Sequence, residues 1–102
     1  MSLNIDHQLA NTEATVSLTG RLDTATAPEL ESVLESLFPS ITALIFDMEK
    51  LEYISSAGLR VILKAQKAME QRGSLKLVRV PEGVMEVFGI TGFRDFLDIE
   101  NG

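Results

Sequence analysis

Apolar and polar residues alternate at the start of the chain. In NIDHQLA (Asn4 to Ala10), Ile5, His7 and Leu9 fall on one side of an extended backbone. In ATVSLTG (Ala14 to Gly20), Val16 and Leu18 oppose Thr15, Ser17 and Thr19. The short polar link Asn11-Thr12-Glu13 between them predicts a β-hairpin. The period then changes. Leu30, Val33, Leu34 and Leu37 recur at i, i+3, i+4 and i+7, which predicts a helix with one buried stripe. Thr26 is placed to cap it, Pro28 fits its first turn, and Pro39 stops it.

TALIFDM (Thr42 to Met48) is nearly continuous in apolar residues. Such a run predicts a strand buried on both faces, followed by a loop over MEKLEYI. From Ser56 to Arg72 the pattern is helical again. Gly58, Val61, Ile62, Ala65, Ala68 and Met69 form the apolar stripe, with Arg60, Lys64, Lys67 and Gln71 opposite. Gly73 is expected to end this helix as a C-cap. A strand over Ser74–Val80 and a helix from Pro81 to Phe88 follow, the helix turning Val84, Val87 and Phe88 inward. Gly89 and Gly92 flank a predicted loop. Phe93, Phe96, Leu97 and Ile99 then supply apolar side chains and a last short strand.

The predicted order is ββαβαβα(β), an α/β class domain. Alternation of strands and helices implies a mixed sheet with parallel neighbours joined by right-handed crossovers. The pattern leaves open whether helices cover one face or both. Length adds a bound: 102 residues suit one compact domain over 1–102.

Charge and composition exclude several functions. The net charge of −6 argues against non-specific binding to nucleic acid or anionic membranes. No apolar run approaches the roughly 20 residues of a membrane span. The N-terminus MSLNIDHQLA lacks the basic start and apolar core of a signal peptide, and no cysteine is present. A cytoplasmic domain is the expectation.

Catalytic motifs are also missing. There is no GxGxxG or GxxxxGK[ST] to cradle a phosphate. Around Ser56-Ala57-Gly58 the hydrolase pattern GxSxG fails, because Ile54 stands where its first glycine belongs. The single histidine, His7, reads as an edge or surface residue, and Asp6 beside it points to the opposite face. No enzyme activity, metal site or cofactor is expected.

The junction LEYISSAGLRVIL (Leu51 to Leu63) carries the most information. Ser55 and Ser56 stand where a helix begins, and serine is a preferred N-cap. Three features suggest more than a cap. The junction follows a buried strand, at the end where α/β domains meet ligands and partners. Ala57 and Gly58 suit close approach by another backbone. Leu59 lies between the apolar and polar stripes, where a partner could cover it. The basic stripe Arg60, Lys64, Lys67 reads either as a solvated face or as a contact for an acidic partner.

Three segments resemble, in order and spacing, the STAS domains of anti-sigma-factor antagonists. GRLDTATAPEL (Gly20 to Leu30) is similar to the family's G-x-[LI]-D-x-x-[TS]-A-x-x-[LF]. LIFDMEKLEYISSAGLRVIL (Leu44 to Leu63) resembles its hallmark D-[LM]-x-x-[VL]-x-[FY]-[IM]-D-S-[ST]-G-[LI]. VMEVFGITGFRDFLDI (Val84 to Ile99) resembles its terminal motif. The resemblance implies a single STAS domain: a mixed four- to five-stranded sheet with helices mainly on one face. It also implies a phosphoswitch. The unphosphorylated domain binds an anti-sigma factor that is also a serine kinase of the histidine-kinase-like ATPase type. Phosphorylation at the position of Ser56 switches it off, and a phosphatase resets it.

Asp23 matches an aspartate near the same surface. Asp23, Thr24, Ser55, Ala57, Gly58, Leu59 and Arg60 would then meet the partner. Two positions depart from the hallmark: Ser55 replaces the usual Asp, and Ala57 replaces Ser/Thr. The first removes a negative charge beside the acceptor and leaves Ser55 as a competing hydroxyl. A non-switching STAS scaffold or transport-complex subunit is the alternative that these departures keep open.

Overall fold

The computed structural model describes residues 3–100. The hairpin is formed by β1 (Leu3–Ala10) and β2 (Glu13–Leu22), paired antiparallel from Leu3↔Gly20 to Ala10↔Glu13. Its turn holds Asn11 at a positive φ of 58°, a conformation that asparagine tolerates better than most residues. In this register Ile5, His7 and Leu9 lie opposite Leu18, Val16 and Ala14, so they do share one side of the hairpin. His7 is exposed on this edge strand, as its sequence context implied.

The second strand runs two residues past Gly20, where the alternation was expected to end. Register shifts against the neighbouring strand fall at Ser17/Thr19 and Gly20/Arg21, and Gly20 takes φ 108°. A β-carbon is strained in that region, so glycine permits the bend.

The first helix, α1 (Ala27–Leu37), ends in a 3-10 turn at Phe38–Ser40 that contains Pro39. The third strand, β3 (Ala43–Ile54), is much longer than predicted. Residues expected to form a loop instead pair with the end of β2: Lys50 with Thr19, Leu51 with Gly20, Tyr53 with Arg21 and Ile54 with Leu22. Nor is its apolar run buried on both faces. Leu44, Phe46 and Met48 are buried, while Ala43, Ile45 and Asp47 are half-buried on the other side.

The second helix, α2 (Ser56–Glu70), stops two residues short of Arg72. Gly73 is not left-handed, so it is no αL cap. Its role is spatial: a β-carbon there would lie 1.8 Å from the Thr42 carbonyl oxygen. β4 (Ser74–Val78) ends before Val80 because Arg79 takes a φ of 53°. α3 (Glu82–Thr91) passes straight through Gly89 and ends at Gly92, which is left-handed at φ 81°. The expected loop from Gly89 to Gly92 is therefore the last turn of a helix. After a 3-10 turn at Phe93–Asp95, β5 (Ile99–Glu100) pairs with β4. Leu97 is buried as expected, but Phe96 is 67% exposed.

Strand order in the sheet is β1-β2-β3-β4-β5, antiparallel in the first pair and parallel in the rest. Each crossover advances one strand in the same direction. Right-handed connections of that kind put α1, α2 and α3 on a single face. The core forms there, between Val16, Leu18, Phe46 and Leu77 of the sheet and Leu30, Leu34, Ile62 and Phe88 of the helices. The other face carries Thr15, Ser17, Ile45, Asp47 and Lys76, none fully buried. No helix among the described residues is long and apolar enough to cross a membrane.

Candidate functional site

Parallel pairing brings the last residues of β2 and β3 to the same edge of the domain. The Ser55 N–H continues the ladder by donating to the Leu22 carbonyl at 2.9 Å. The loop after β2 and the start of α2 are therefore neighbours, as the two sequence motifs required.

The loop is built around Asp23 and Thr26. Asp23 Oδ1 accepts from the N–H groups of Ala25 at 3.0 Å and Thr26 at 3.1 Å. The Thr26 hydroxyl donates to the Arg21 carbonyl and accepts from the Asp23 N–H, both at 2.9 Å. Thr26 was expected to cap α1 with its side chain; it makes no such bond and instead locks the loop. It is the buried polar side chain among the described residues, affordable only because its hydroxyl is satisfied on both sides. The Thr26 backbone N–H, helped by its hydroxyl, the Ala25 N–H and the Arg21 charge, holds the Asp23 carboxyl below the ordinary carboxylate range. Asp23 is thus anionic at neutral pH, and Thr24 beside it is exposed.

The serine pair divides its work. Ser55 is the N-cap of α2: its Oγ accepts from the Gly58 N–H at 3.3 Å, and its carbonyl accepts from Leu59 N at 2.9 Å. With Ser55 N and Gly58 N engaged, the amides of Ser56 and Ala57 remain as the orphan donors of the first turn. Ser56 is the first helical residue and is exposed; Ser55 and Ala57 are half-buried. Among the described residues the Ser56 hydroxyl makes no hydrogen bond within the chain. The first turn holds no acidic residue.

Two expectations at this helix change. Gly58 does permit close approach, but to the protein's own backbone. A β-carbon there would sit 2.7 Å from Leu22 Cγ and 3.0 Å from the Leu22 carbonyl oxygen. Leu59 is only 4% exposed and belongs to the core, because the end of the sheet reaches further over α2 than a strand stopping at Met48 would allow. Arg60 is exposed as expected. The basic stripe is not uniformly free: Lys64 pairs with Glu31 of α1, which raises its pKa.

Sequence reasoning missed Thr26 as the loop anchor. It also missed Arg21 stacked over the Tyr53 ring, 4.3 Å from its centroid, just beneath the junction. The alternation of β2 past Gly20 was the available signal for the second. No group of three His, Cys, Asp or Glu able to hold a metal occurs among the described residues.

The profile of the STAS domain matches residues 4–102. The chain belongs to the STAS-domain family. Among its relatives, the anti-sigma-B factor antagonist of Bacillus subtilis (strain 168) is 32% identical over 100 residues, spanning 97% of this STAS domain and 92% of the relative. An anti-sigma factor antagonist from Mycobacterium paratuberculosis shares the fold, with a TM-score of 0.87 at 21% identity, covering 96% of this chain and 85% of that one. SpoIIAA in its unphosphorylated form gives a TM-score of 0.85 at 17% identity, over 97% of this STAS domain and 88% of that chain.

Proposed function

We propose that this STAS domain is a cytoplasmic anti-sigma-factor antagonist, switched off by phosphorylation of Ser56. In the unphosphorylated form it binds an anti-sigma factor and so frees the sigma factor. That anti-sigma factor is also a serine kinase of the histidine-kinase-like ATPase type, and a phosphatase restores the free hydroxyl. The domain itself acts by binding, without a cofactor. The observation that carries this reading is the exposed, unengaged Ser56 hydroxyl at the mouth of α2, next to the loop that carries Asp23, in a chain whose relatives include an anti-sigma-B factor antagonist.

In the transfer step the Ser56 Oγ attacks the γ-phosphorus of the kinase's ATP. The new Oγ–P bond forms as the bond from that phosphorus to ADP breaks, and the hydroxyl proton passes to a base on the kinase. Ser55 is the poorer acceptor, because the residue is half-buried and its oxygen holds the Gly58 N–H. The product carries about −1.5 to −2 charges at neutral pH. The free N–H groups of Ser56 and Ala57 and the positive end of the helix dipole accommodate that charge, so the fold persists. SpoIIAA, which shares this fold, has been solved in a phosphorylated form as well.

Toward a partner the effect is opposite. A dianion beside the Asp23 carboxylate is repelled or stranded in the interface, a cost of several kcal/mol. That lowers affinity more than about a hundredfold.

Incubation with a histidine-kinase-like anti-sigma factor and ATP is expected to add about 80 Da, one phosphoryl group, to the peptide containing Ser56. Ser56→Ala removes the gain and keeps binding; Ser56→Asp weakens binding with an unchanged melting temperature. No mass gain, together with equal binding of Ser56→Ala and Ser56→Asp, sinks the switch and favours the non-switching scaffold.

A further inference from the structure

We propose that two copies of this chain associate along the outer edge of β1, antiparallel, with a twofold axis at His7. Their five-stranded sheets then join as one. The inference is independent of the Ser56 reading and uses a different edge of the molecule.

The two edges of the sheet are protected unequally. β5 is two residues long, too short to template a further strand. β1 holds eight residues in unbroken register with β2, from Leu3↔Gly20 to Ala10↔Glu13. Its sequence LNIDHQLA has no lysine, proline or glycine, and no bulge interrupts its pairing. Proteins blunt exposed edges with those devices, and here only Asp6 puts a carboxylate on the strand.

Half of the backbone groups of β1 face away from β2. The hairpin closes across Ala10 and Glu13 by a two-residue turn, so Ala10, Gln8, Asp6 and Asn4 exchange hydrogen bonds with β2. The N–H and C=O groups of Ile5, His7 and Leu9 therefore point outward. Among the described residues no strand pairs with that side. Nor does the helix layer block it: His7 and Leu9 share a side with the buried Val16 and Ala14, yet both are exposed.

Symmetry and charge select the second copy's register. In a twofold antiparallel pair, opposed residues lie on one face, so their numbers share parity. An axis at Asp6 sets two carboxylates against each other, which is destabilising. An axis at Ile5 or Gln8 leaves Leu9 or Ile5, respectively, without a strand residue opposite. An axis at His7 pairs residues 4–10 of both copies. Asp6 then faces Gln8 of the second copy, Ile5 faces its Leu9, and like charges are kept apart. Ile5, His7 and Leu9 exchange backbone hydrogen bonds with Leu9, His7 and Ile5 of the second copy. Leu9, 51% exposed in the single chain, is covered by the half-buried Ile5 of its partner, twice by symmetry.

This contact is smaller than a standard interface of about 800 Å² on each partner, so the dimer is weak and concentration-dependent. Ser56 stands beyond the end of β3 rather than along β1, and stays accessible in both copies.

Sedimentation equilibrium and amide hydrogen exchange on the complete chain test this. The average mass is expected to rise from the 11.2 kDa of one chain toward twice that value as concentration approaches about 1 mM. Over the same range the Ile5, His7 and Leu9 amides are expected to slow in exchange. Gln8→Lys places a cation opposite Asp6 and is expected to lower Kd about threefold or more; Gln8→Asp is expected to raise it by a similar factor. Adding Asp6→Lys to Gln8→Asp is expected to restore association, which a general effect of charge would not do. Both side chains are exposed, so the melting temperature in dilute solution is expected to hold.

A mass that stays at one chain over the whole range overturns the proposal. A dimer whose Ile5, His7 and Leu9 amides still exchange fast uses another surface and overturns it too. So does a dimer indifferent to the charge at Gln8, since its register is not the one at His7.

Discussion

Two adjacent serines at one helix end have separable jobs. Ser55→Ala removes the oxygen that holds the Gly58 N–H and is expected to cost about 1 kcal/mol of stability. Ser56→Ala removes a solvent-facing hydroxyl and is expected to stay within about 0.5 kcal/mol. Gly58→Ala places a methyl group against the buried Leu22 side chain and carbonyl, and is expected to destabilise by about 1–3 kcal/mol. Urea midpoints of the three variants give the ranking. The serine pair was legible in the sequence because serine favours helix starts. Which serine caps was not, since that depends on the single-residue register at which β3 hands over to α2. Leu59 was misplaced for a related reason. A helical wheel gives its angle but not how far the neighbouring sheet reaches.

Within the sheet, Asp47 of β3 and Arg79 just after β4 join neighbouring strands on the open face. Arg79 Nε donates to Asp47 Oδ1 at 3.1 Å, and its Nη1 lies 3.2 Å from Glu49. The Arg79 side chain, followed by the Glu49 N–H, holds the Asp47 carboxyl below its usual pKa. The Asp47 side chain is 16% exposed but that of Arg79 is 57% exposed, so solvent screens part of the contact. A folded-state pKa that is depressed adds stability above the unfolded value, about 3.9, and loses it as pH falls through the folded value.

Arg79→Met is therefore expected to lower stability at pH 7 and to move the acid-unfolding midpoint upward. Asp47→Asn should flatten the pH dependence in that range. Circular dichroism between pH 2 and 6 reads both. The sequence made β3 too short because Glu49, Lys50, Glu52 and Tyr53 break the apolar run. They are tolerated in the strand because no helix covers their outer side.

Across the whole molecule, the order of strands and helices followed from the change in hydrophobic period. The family motifs then anticipated helices mainly on one face. What the pattern obscured was the bare face of the sheet. Leu44, Ile45 and Phe46 look alike in a hydropathy reading, yet Leu44 and Phe46 face the helices and Ile45 does not; the embedded Asp47 was the overlooked sign. Phe46→Ala is expected to cost about 3–5 kcal/mol. Ile45→Thr, half-buried on the open side, is expected to cost less than about 1.5 kcal/mol. Equal losses would contradict one-sided packing. The candidate site was legible as two separate motifs. Their juxtaposition came from the parallel pairing of β2 with β3, which brings Leu22 and Ile54, 32 positions apart, to the same edge.

The ladder that continues through Leu22 into Ser55 has a thermodynamic corollary. A visiting protein meets a platform whose shape is set before contact, with both loops clamped to strand ends rather than waiting to be ordered. On the proposed reading, recognition draws little on chain entropy, and selectivity between the two states of the Ser56 hydroxyl falls to electrostatics at a fixed geometry.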